Sequence, residues 1–251
     1  MESGLAAFAI GIVSGFLTVT AGAAVTVVVP VLLALGLSAD EANATSRLSL
    51  GLAGVVAGLM MIRRGVIDWP KTVPLLAAAA GGTAAGALAG ARIDSGTMLT
   101  IIVVTSCVSL VLVWMRPDRW LAEEPQRAVV PGRGAALVFF FLCAYEGIVA
   151  VDSALLRLIV FVMIFGYPIA VANPIKLVTG LVMFGVSSAI YGAKGQIVWD
   201  TAGWLAAGST LGAVAAVPFA TSMAAQRPIY RLLQCVVTLE TIWLVHRWWA
   251  R

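Results

Sequence analysis

Long stretches of this chain contain no charged residue, and they restrict the folds open to it more than any other feature. The stretches cover residues 3–39, 48–62, 72–91, 95–115, 134–145, 158–175, 177–193 and 201–226. A helix needs roughly 20 apolar residues to cross the hydrocarbon core of a bilayer, and backbone polar groups in lipid must be hydrogen-bonded within helices or closed barrels. Continuous apolar stretches, rather than alternating ones, favour helices. We therefore predict an all-α, polytopic membrane protein.

Composition and motifs exclude several classes of function. Hydrophobic residues make up 61% of the chain and charged residues 11%, whereas about a quarter of the residues in a soluble domain are charged. Cys107, Cys143 and Cys235 lie apart, without the spacing of a metal site or a redox pair. No hydrolase, kinase or nucleotide-binding motif is present, so we expect no cofactor, no metal and no enzymatic activity. The net charge of +4 is the excess of Lys and Arg that membrane proteins usually carry in their cytoplasmic loops, so we expect no nucleic-acid partner.

One pattern occurs twice, and a single constant offset relates every matched position. The first copy has Gly36, Ala42-Asn43 and Gly65-x-Ile67-x-Trp69, and the second has Gly166, Ala172-Asn173 and Gly195-x-Ile197-x-Trp199. In both copies a short apolar run ends at the first Gly. Ala-Asn then opens a long apolar segment, and the copy closes at Gly-x-Ile-x-Trp. Repeats of this kind build many transporters, which hold the substrate where the two halves meet.

Each half of the chain divides into five apolar segments. They lie near 4–19, 22–36, 42–62, 71–91 and 97–115, and near 134–150, 153–167, 170–192, 200–222 and 229–249. We predict two inverted repeats of about five transmembrane or re-entrant helical segments each, at 1–115 and 134–251, joined by a cytoplasmic linker at 116–133. The first two segments of each half form either a tight hairpin or discontinuous helices. Glycines spaced by four predict helix-packing seams, and they occur at Gly82, Gly86 and Gly90, at Gly54 and Gly58, and at Gly208 and Gly212.

Basic residues in the loops predict the orientation. Two loops on one face carry Arg63, Arg64 and Lys71, and Arg116, Arg119, Arg127 and Arg133. The loop between them, on the opposite face, carries only Arg92. Because the two loops on the first face carry seven basic residues and the loop on the opposite face carries one, we place those two loops in the cytoplasm. With five segments per half, the second half is then inverted relative to the first.

Three cations lie at membrane depth, and each is costly there unless it has a partner. Arg47 lies about one turn into the third segment of the first half, and Lys176 lies at nearly the same depth in the second half. Arg157 lies in the second segment of the second half. Two of the three are thus related by the repeat, to within one position, which predicts a site for an anion. The alternative is that Arg47 and Lys176 extend to the membrane interface.

Polar residues beside these cations predict the remainder of the site. Asn43, Ser46 and Arg47 share one helical face, and Asn173 and Lys176 share another in the same way. The two asparagines are typical of N-caps, and Pro174 suits a first helical turn. We therefore predict two helix N-termini that converge on a small oxyanion. Hydrogen bonds to the substrate would come from Ser46 and from Thr45.

Two acidic residues flank the break between the first two segments of the second half, Glu146 and Asp152. A buried carboxyl group can take up and release a proton, so either residue could couple transport to protons or gate it. Alternatively, either could neutralise Arg157 as an ion-pair partner. The residues by themselves leave both interpretations open.

The chain resembles the TauE/SafE family of sulfite exporters. The resemblance is clearest over the first 90 residues, and the repeat extends it to about residue 222. It rests on Gly11-Ile-Val-Ser14-Gly15-Phe16-Leu17, Ala21-Gly22-Ala23, Pro30, Leu32, Gly36, Ala42-Asn43-Ala44-Thr45-Ser46 and Arg63-Arg64-Gly65-x-Ile67-Asp68-Trp69. The resemblance implies a permease that carries sulfite or small organosulfur anions such as 4-toluene sulfonate. It also implies that transport is often outward and coupled to protons. The chain departs from the family pattern at a thinned glycine cluster, Ala21-Gly22-Ala23, and at the extra charges Arg47 and Lys176.

These observations predict a secondary transporter that exports sulfite or an organosulfonate across the bacterial cytoplasmic membrane, coupled to protons. Arg47, Lys176 and Arg157 would bind the anion together with Asn43, Thr45, Ser46 and Asn173, while Glu146 and Asp152 would couple or gate. The expected partners are the anion and lipid, and a homodimer is compatible with the sequence. The alternatives are a transporter of another small anion, a carboxylate or a halide, and a non-transporting membrane scaffold.

Overall fold

The computed structural model describes residues 2–20, 24–115, 132–151, 153–219 and 226–250, and in these residues it is helical, without a strand. The α-helices are α1 (Glu2–Thr20), α2 (Ala24–Ala34), α3 (Ala39–Arg63), α4 (Trp69–Gly90), α5 (Ser95–Met115), α6 (Arg133–Ile148), α7 (Ser153–Ile159), α8 (Ile169–Ala193), α9 (Trp199–Ala216) and α10 (Gln226–Trp249). Helix α7 continues into a π-helical turn, Val160–Ile164. Most of the predicted linker, 116–131, and Asp152 lie outside the described residues. Arg133, which the prediction assigned to the linker, begins α6.

The surface and the helix lengths are those of a chain that crosses a membrane several times. Four of the described helices are long and apolar enough to span a bilayer, namely α3, α4, α5 and α8. Large apolar side chains cover the outer surface, as at Trp114, Phe141 and Leu239, which are 57%, 63% and 69% exposed. An apolar exterior of this extent is stable only against lipid or another apolar surface. The prediction of an all-helical polytopic protein is therefore confirmed.

The first two segments of each half are discontinuous helices. Helix α1 ends at Thr20 and α2 begins at Ala24. The 11 residues of α2 cover roughly 16 Å at 1.5 Å per residue, which is about half of the ~30 Å hydrocarbon core. In the second half the helix is interrupted between Ile148 and Ser153, and α7 has only seven residues before its π turn. Val149 and Ala150 in the second break are irregular backbone in the buried interior of the protein, where side chains can satisfy it.

The local structure repeats with the same constant offset that relates the two copies in the sequence. Helices α3 and α8 both contain 25 residues, and α4 and α9 both begin at the Trp that closes each copy. Gly36, Gly65, Gly166 and Gly195 all have positive φ, between 68° and 95°. A residue in this left-handed conformation ends a helix, and glycine adopts it without strain. In each copy the first of these glycines therefore follows the end of the short helical segment, and the second follows the end of the long helix.

The two halves pack against each other reciprocally. Helix α9 of the second half packs on α1 and α3 of the first, and α4 of the first half packs on α6 and α8 of the second. Helices α3 and α8 also pack together, as do α5 and α10. The largest contacts between the halves thus come in matching pairs, with the halves exchanged.

Glycines let the backbones of the two halves approach closely. A Cβ atom on Gly212 of α9 would overlap the carbonyl oxygen of Ile12 in α1, and one on Gly86 of α4 would overlap that of Ala144 in α6. These positions confirm the predicted packing seams. Gly54 differs: a Cβ atom there would meet nothing within 4 Å, and the residue lines a cavity.

Candidate functional site

A cavity of about 110 Å³ lies among α2, α3, α6, α7 and α8, where the two halves meet. Four charged residues line it, Arg47, Glu146, Arg157 and Lys176. The rest of the wall is formed by Thr18, Ala24, Val25, Ser46, Leu50, Gly51, Gly54, Ala150, Ala154, Leu177, Gly180, Met183, Phe184 and Ser187. The structure therefore brings together the three cations that the sequence singled out, although Arg157 and Lys176 belong to the half of the chain that does not contain Arg47.

Arg47 projects from the third turn of α3 into this cavity. Its guanidinium carbon lies 5.0 Å from the centre of the Tyr191 ring. The Nε and Nη2 atoms are buried and have no hydrogen-bond partner within the part of the chain that is described. A buried charge without a hydrogen-bonding partner costs several kcal/mol. An anion in the cavity would supply the missing acceptors.

Arg157 is held by Glu146. Its Nε atom lies 3.0 Å from Oε2 of Glu146, and both side chains are buried. Its Nη1 atom donates to the carbonyl oxygen of Lys176 at 3.1 Å and lies 3.5 Å from Oγ1 of Thr179. A Cβ atom on Gly180 would come within 3.1 Å of Nη1, so glycine leaves room for the guanidinium. Of the two acidic residues considered as a partner of Arg157, Glu146 forms the ion pair, and its role in coupling or gating stays a prediction.

Lys176 points into the same cavity from α8. Its side chain is 2% exposed, and Nζ donates to the carbonyl oxygen of Thr18 at 3.4 Å. This acceptor belongs to the last turn of α1, which is in the other half. Lys176 and the buried nitrogens of Arg47 are thus held inside the protein, which contradicts the alternative that these side chains extend to the membrane interface.

The charged groups leave the cavity positive. Among the described residues of the wall, three carry a positive charge and one carries a negative charge. Apolar side chains such as Leu50, Met183 and Phe184 form much of the remaining surface, so the charges lie in a medium of low dielectric constant. Such a site attracts an anion much more strongly than the same charges would at an aqueous surface.

The prediction that Asn43 and Asn173 are N-caps is wrong. Helix α3 begins a turn earlier because Ser38 forms a capping box with Glu41, whose Oε2 accepts from the Ser38 N–H at 3.0 Å and from its Oγ at 2.8 Å. Helix α8 likewise begins after Pro168. Both asparagines therefore lie in the second helical turn, where the backbone N–H groups already have intrahelical partners. They supply no free N–H groups for an anion.

The two asparagines instead brace the helix breaks of the opposite half. Nδ2 of Asn43 donates to the carbonyl oxygen of Ile148 at 3.0 Å, and Oδ1 accepts from the N–H of Ala150 at 2.7 Å. Nδ2 of Asn173 donates to the carbonyl oxygen of Thr20 at 3.3 Å, at the end of α1. Each half thus hydrogen-bonds backbone groups at a helix end of the other, and neither amide lines the cavity.

The remaining predicted residues divide between the cavity and its supports. Ser46 lines the cavity, and its Oγ donates to the carbonyl oxygen of Asn43 at 3.0 Å. Thr45 does not line it: its Oγ1 accepts from the N–H of Val198 at 3.1 Å, just before α9. Asp152 lies outside the described residues.

Several parts of the wall and of its supports could not be identified from the sequence. The carbonyl oxygen of Thr18 and the ring of Tyr191 contact Lys176 and Arg47, but nothing in an apolar helix marks such residues. Gly51 and Gly180 were detectable only as small residues, and they make room for large neighbours: a Cβ atom on Gly51 would overlap the ring of Phe184. Their role depends on which helix packs opposite, and the sequence does not state it.

Comparison with known proteins gives the family. The family described as "Sulfite exporter TauE/SafE" matches residues 7–244. The match covers both copies of the repeat and every described residue of the cavity wall. No curated protein and no solved structure matches the chain. The chain therefore belongs to the TauE/SafE sulfite exporter family and is a multi-pass membrane protein of a family of anion transporters.

Proposed function

We propose that the protein exports a small sulfur oxyanion, sulfite or a small organosulfonate, across the bacterial cytoplasmic membrane, and that the export is linked to protons. One observation carries this proposal. Two buried nitrogens of Arg47 have no hydrogen-bond partner among the described residues, and they belong to a cavity whose wall carries a net positive charge. The proposed occupant satisfies both the hydrogen bonds and the charge.

The donors favour an oxyanion over a halide. A guanidinium presents N–H groups in a planar fork that matches two oxygens of one anion, whereas a halide offers one spherical acceptor. Lys176 adds a compact charge from a second direction. The cavity has a volume of about 110 Å³, which is several times what a single water molecule requires. This volume suits a small ion, and a carboxylate remains the closest competitor because it also presents two oxygens.

Alternating access follows from the reciprocal packing of the halves. We propose that the second half is inverted relative to the first, as the basic loops predict, and that one half rocks against the other around the cavity. Lys176 and Asn173 of the second half hold the end of α1, and Asn43 of the first half holds the break after α6. These contacts would break and re-form as access changes. A non-transporting scaffold gives no reason for a buried guanidinium to lack hydrogen-bond partners.

Glu146 and the anion compete for Arg157, and this competition links anion binding to the protonation of Glu146. Glu146 is already paired with Arg157, since its Oε2 lies 3.0 Å from Nε of the arginine. The ionised carboxylate therefore competes with an incoming anion for the same guanidinium. Arg47 and Lys176 are the other charged groups of the described cavity wall that face it. A protonated Glu146 no longer competes. The site therefore binds the anion and the proton together, and anion affinity rises as Glu146 takes up its proton.

Replacing Glu146 with glutamine tests this link. Because glutamine keeps the shape of the side chain without its charge, we expect Glu146→Gln to bind the anion about 10-fold more tightly at alkaline pH, an effect of about 1.4 kcal/mol, and to lose the pH dependence of binding. Without anion the variant is less stable, since Arg157 loses its counter-charge. The ligand is a sulfonate, which stays ionised throughout the titration. Asp200→Asn, at an exposed carboxylate of α9, is the control, and an unchanged pH profile in Glu146→Gln would refute the link.

The proposal as a whole is tested by an anion panel. The purified protein is heated with sulfite, a small alkyl sulfonate, acetate or chloride, each at equal ionic strength. An anion at about 100 times its dissociation constant adds about 2.7 kcal/mol to the apparent stability. We expect sulfite or the sulfonate to stabilise most, and efflux from proteoliposomes to follow the same order. Stronger stabilisation by acetate or chloride would assign another anion, and no stabilisation by any anion would remove the site.

A further inference from the structure

Tyr191 touches the anion site in two places, although it does not line the cavity. Its side chain is fully buried on α8. The ring lies beneath Arg47, 5.0 Å from the guanidinium carbon, and the hydroxyl lies 3.0 Å from the carbonyl oxygens of both Gly147 and Ile148. Those carbonyls end α6, immediately after Glu146. One side chain therefore contacts a cation of the site and the helix end that carries its carboxylate.

The ring supports Arg47 without consuming its donors. An aromatic face attracts a cation electrostatically, but it neither neutralises the charge as a carboxylate would nor accepts the in-plane N–H groups. Arg157 is held differently, by the carboxylate of Glu146. The two guanidinium groups of the cavity thus differ in whether their N–H groups and charge are available to an anion. Arg47 keeps its full charge and two buried nitrogens without partners among the described residues.

The hydroxyl fixes the end of α6. The last carbonyl groups of a helix have no intrahelical partner and carry the negative end of its dipole. Tyr191 supplies a donor there, and Asn43 supplies another to Ile148. A Cβ atom on Gly90 of α4 would overlap the hydroxyl, so glycine keeps the place open. The position of Glu146 relative to Arg47 is thereby set through Tyr191.

The repeat shows that packing alone does not require this pair. The offset that matches Asn43 to Asn173 also matches Met61 to Tyr191 and Arg47 to Leu177. Met61 and Leu177 belong to one cluster of buried apolar side chains. Two apolar side chains thus suffice at the corresponding positions of α3 and α8. Of the two related sets of positions, only Arg47 and Tyr191 therefore combine a cation with an aromatic ring.

We propose that Tyr191 is the positioning and specificity-determining residue of the anion site. Its ring holds Arg47 charged and directed at two oxygens of the anion, and its hydroxyl holds the end of α6 so that Glu146 competes for Arg157 and not for Arg47. The inference rests on the proposed function. It adds that selectivity for oxyanions over chloride depends on a residue outside the cavity wall.

Three variants test the proposal by sulfonate and chloride binding. Tyr191→Met removes the ring and copies the mirrored residue, so we expect sulfonate affinity to fall on the order of 10-fold, with a smaller loss for chloride. Tyr191→Phe keeps the ring and weakens sulfonate binding by about 3-fold or less, but it flattens the pH dependence because the end of α6 is released. The double variant Arg47→Leu/Tyr191→Met rebuilds the mirrored apolar pair, so it unfolds at or above the wild-type temperature and binds no anion.

The outcomes separate this inference from the proposed function. If wild type binds no anion, the proposed function fails and the role of Tyr191 fails with it. If wild type binds sulfonate but Tyr191→Met binds it equally well, only the role of Tyr191 is refuted. Tyr191→Met and Tyr191→Phe could also each lose the same affinity for sulfonate as for chloride, in proportion to the fall in unfolding temperature. That result would show that Tyr191 has only a structural role. Should Tyr191→Met fail to fold, the pH profile of Tyr191→Phe decides.

Discussion

Replacing Arg47 with alanine is expected to abolish anion binding while leaving the protein folded. Two charge-assisted hydrogen bonds from the guanidinium fork are worth about 3–6 kcal/mol together, so the affinity should fall at least about 100-fold. The fold should survive because Nε and Nη2 of the wild-type guanidinium have no hydrogen-bond partner within the described protein, and removing the side chain ends the cost of burying an uncompensated charge. Lys176→Ala should weaken binding less, since a single ammonium contact is lost.

Thermal unfolding measures this loss directly. At an anion concentration about 100 times the wild-type dissociation constant, linkage gives about 2.7 kcal/mol for wild type and about 0.4 kcal/mol for a variant that binds about 100-fold more weakly. Arg47→Lys keeps the charge without the fork and should fall between the two. Arg63→Ala, at the exposed end of the same helix, is the matched control and should respond like wild type. A wild-type response from Arg47→Ala would mean that the anion, if any, binds elsewhere.

Replacing Gly212 with alanine is expected to destabilise the protein, whereas the same change at Gly203 of the same helix is not. A Cβ atom on Gly212 would overlap the carbonyl oxygen of Ile12, but one on Gly203 would meet nothing within 4 Å. Overpacking costs about 1–3 kcal/mol, while alanine favours a helix over glycine by up to ~1 kcal/mol. The seam between α1 and α9 should therefore open, because the carbonyl is backbone and cannot move aside.

The pair of variants isolates packing from helix propensity. Unfolding temperatures in one detergent should fall for Gly212→Ala and stay level or rise for Gly203→Ala. Gly86→Ala, at the reciprocal seam between α4 and α6, should behave like Gly212→Ala because its Cβ atom would overlap the carbonyl oxygen of Ala144. Equal shifts at Gly203 and Gly212 would mean that the close approach of the two halves does not limit stability.

The cations were the part of the site that could be predicted from the sequence, because charge at membrane depth is rare and expensive wherever it occurs. The repeat related Arg47 to Lys176 to within one position, and both line the cavity. The asparagines were misinterpreted for a local reason. An Ala-Asn step that precedes an apolar segment is typical of a cap, but the capping box at Ser38 and Glu41 already begins the helix one turn earlier.

The sequence by itself determined that the chain is helical and membrane-embedded, roughly where its long helices lie, and which cations lie within its apolar segments. These properties depend on continuous apolar stretches, on glycines of positive φ and on the cost of charge in lipid. Only the tertiary structure decided that Arg157 pairs with Glu146, that Arg47 lies on Tyr191 and that Asn43 braces the break after α6. Two of these three contacts join the first half of the chain to the second. They exist because helices of opposite halves pack closely at glycine seams, and no local pattern states which face meets which.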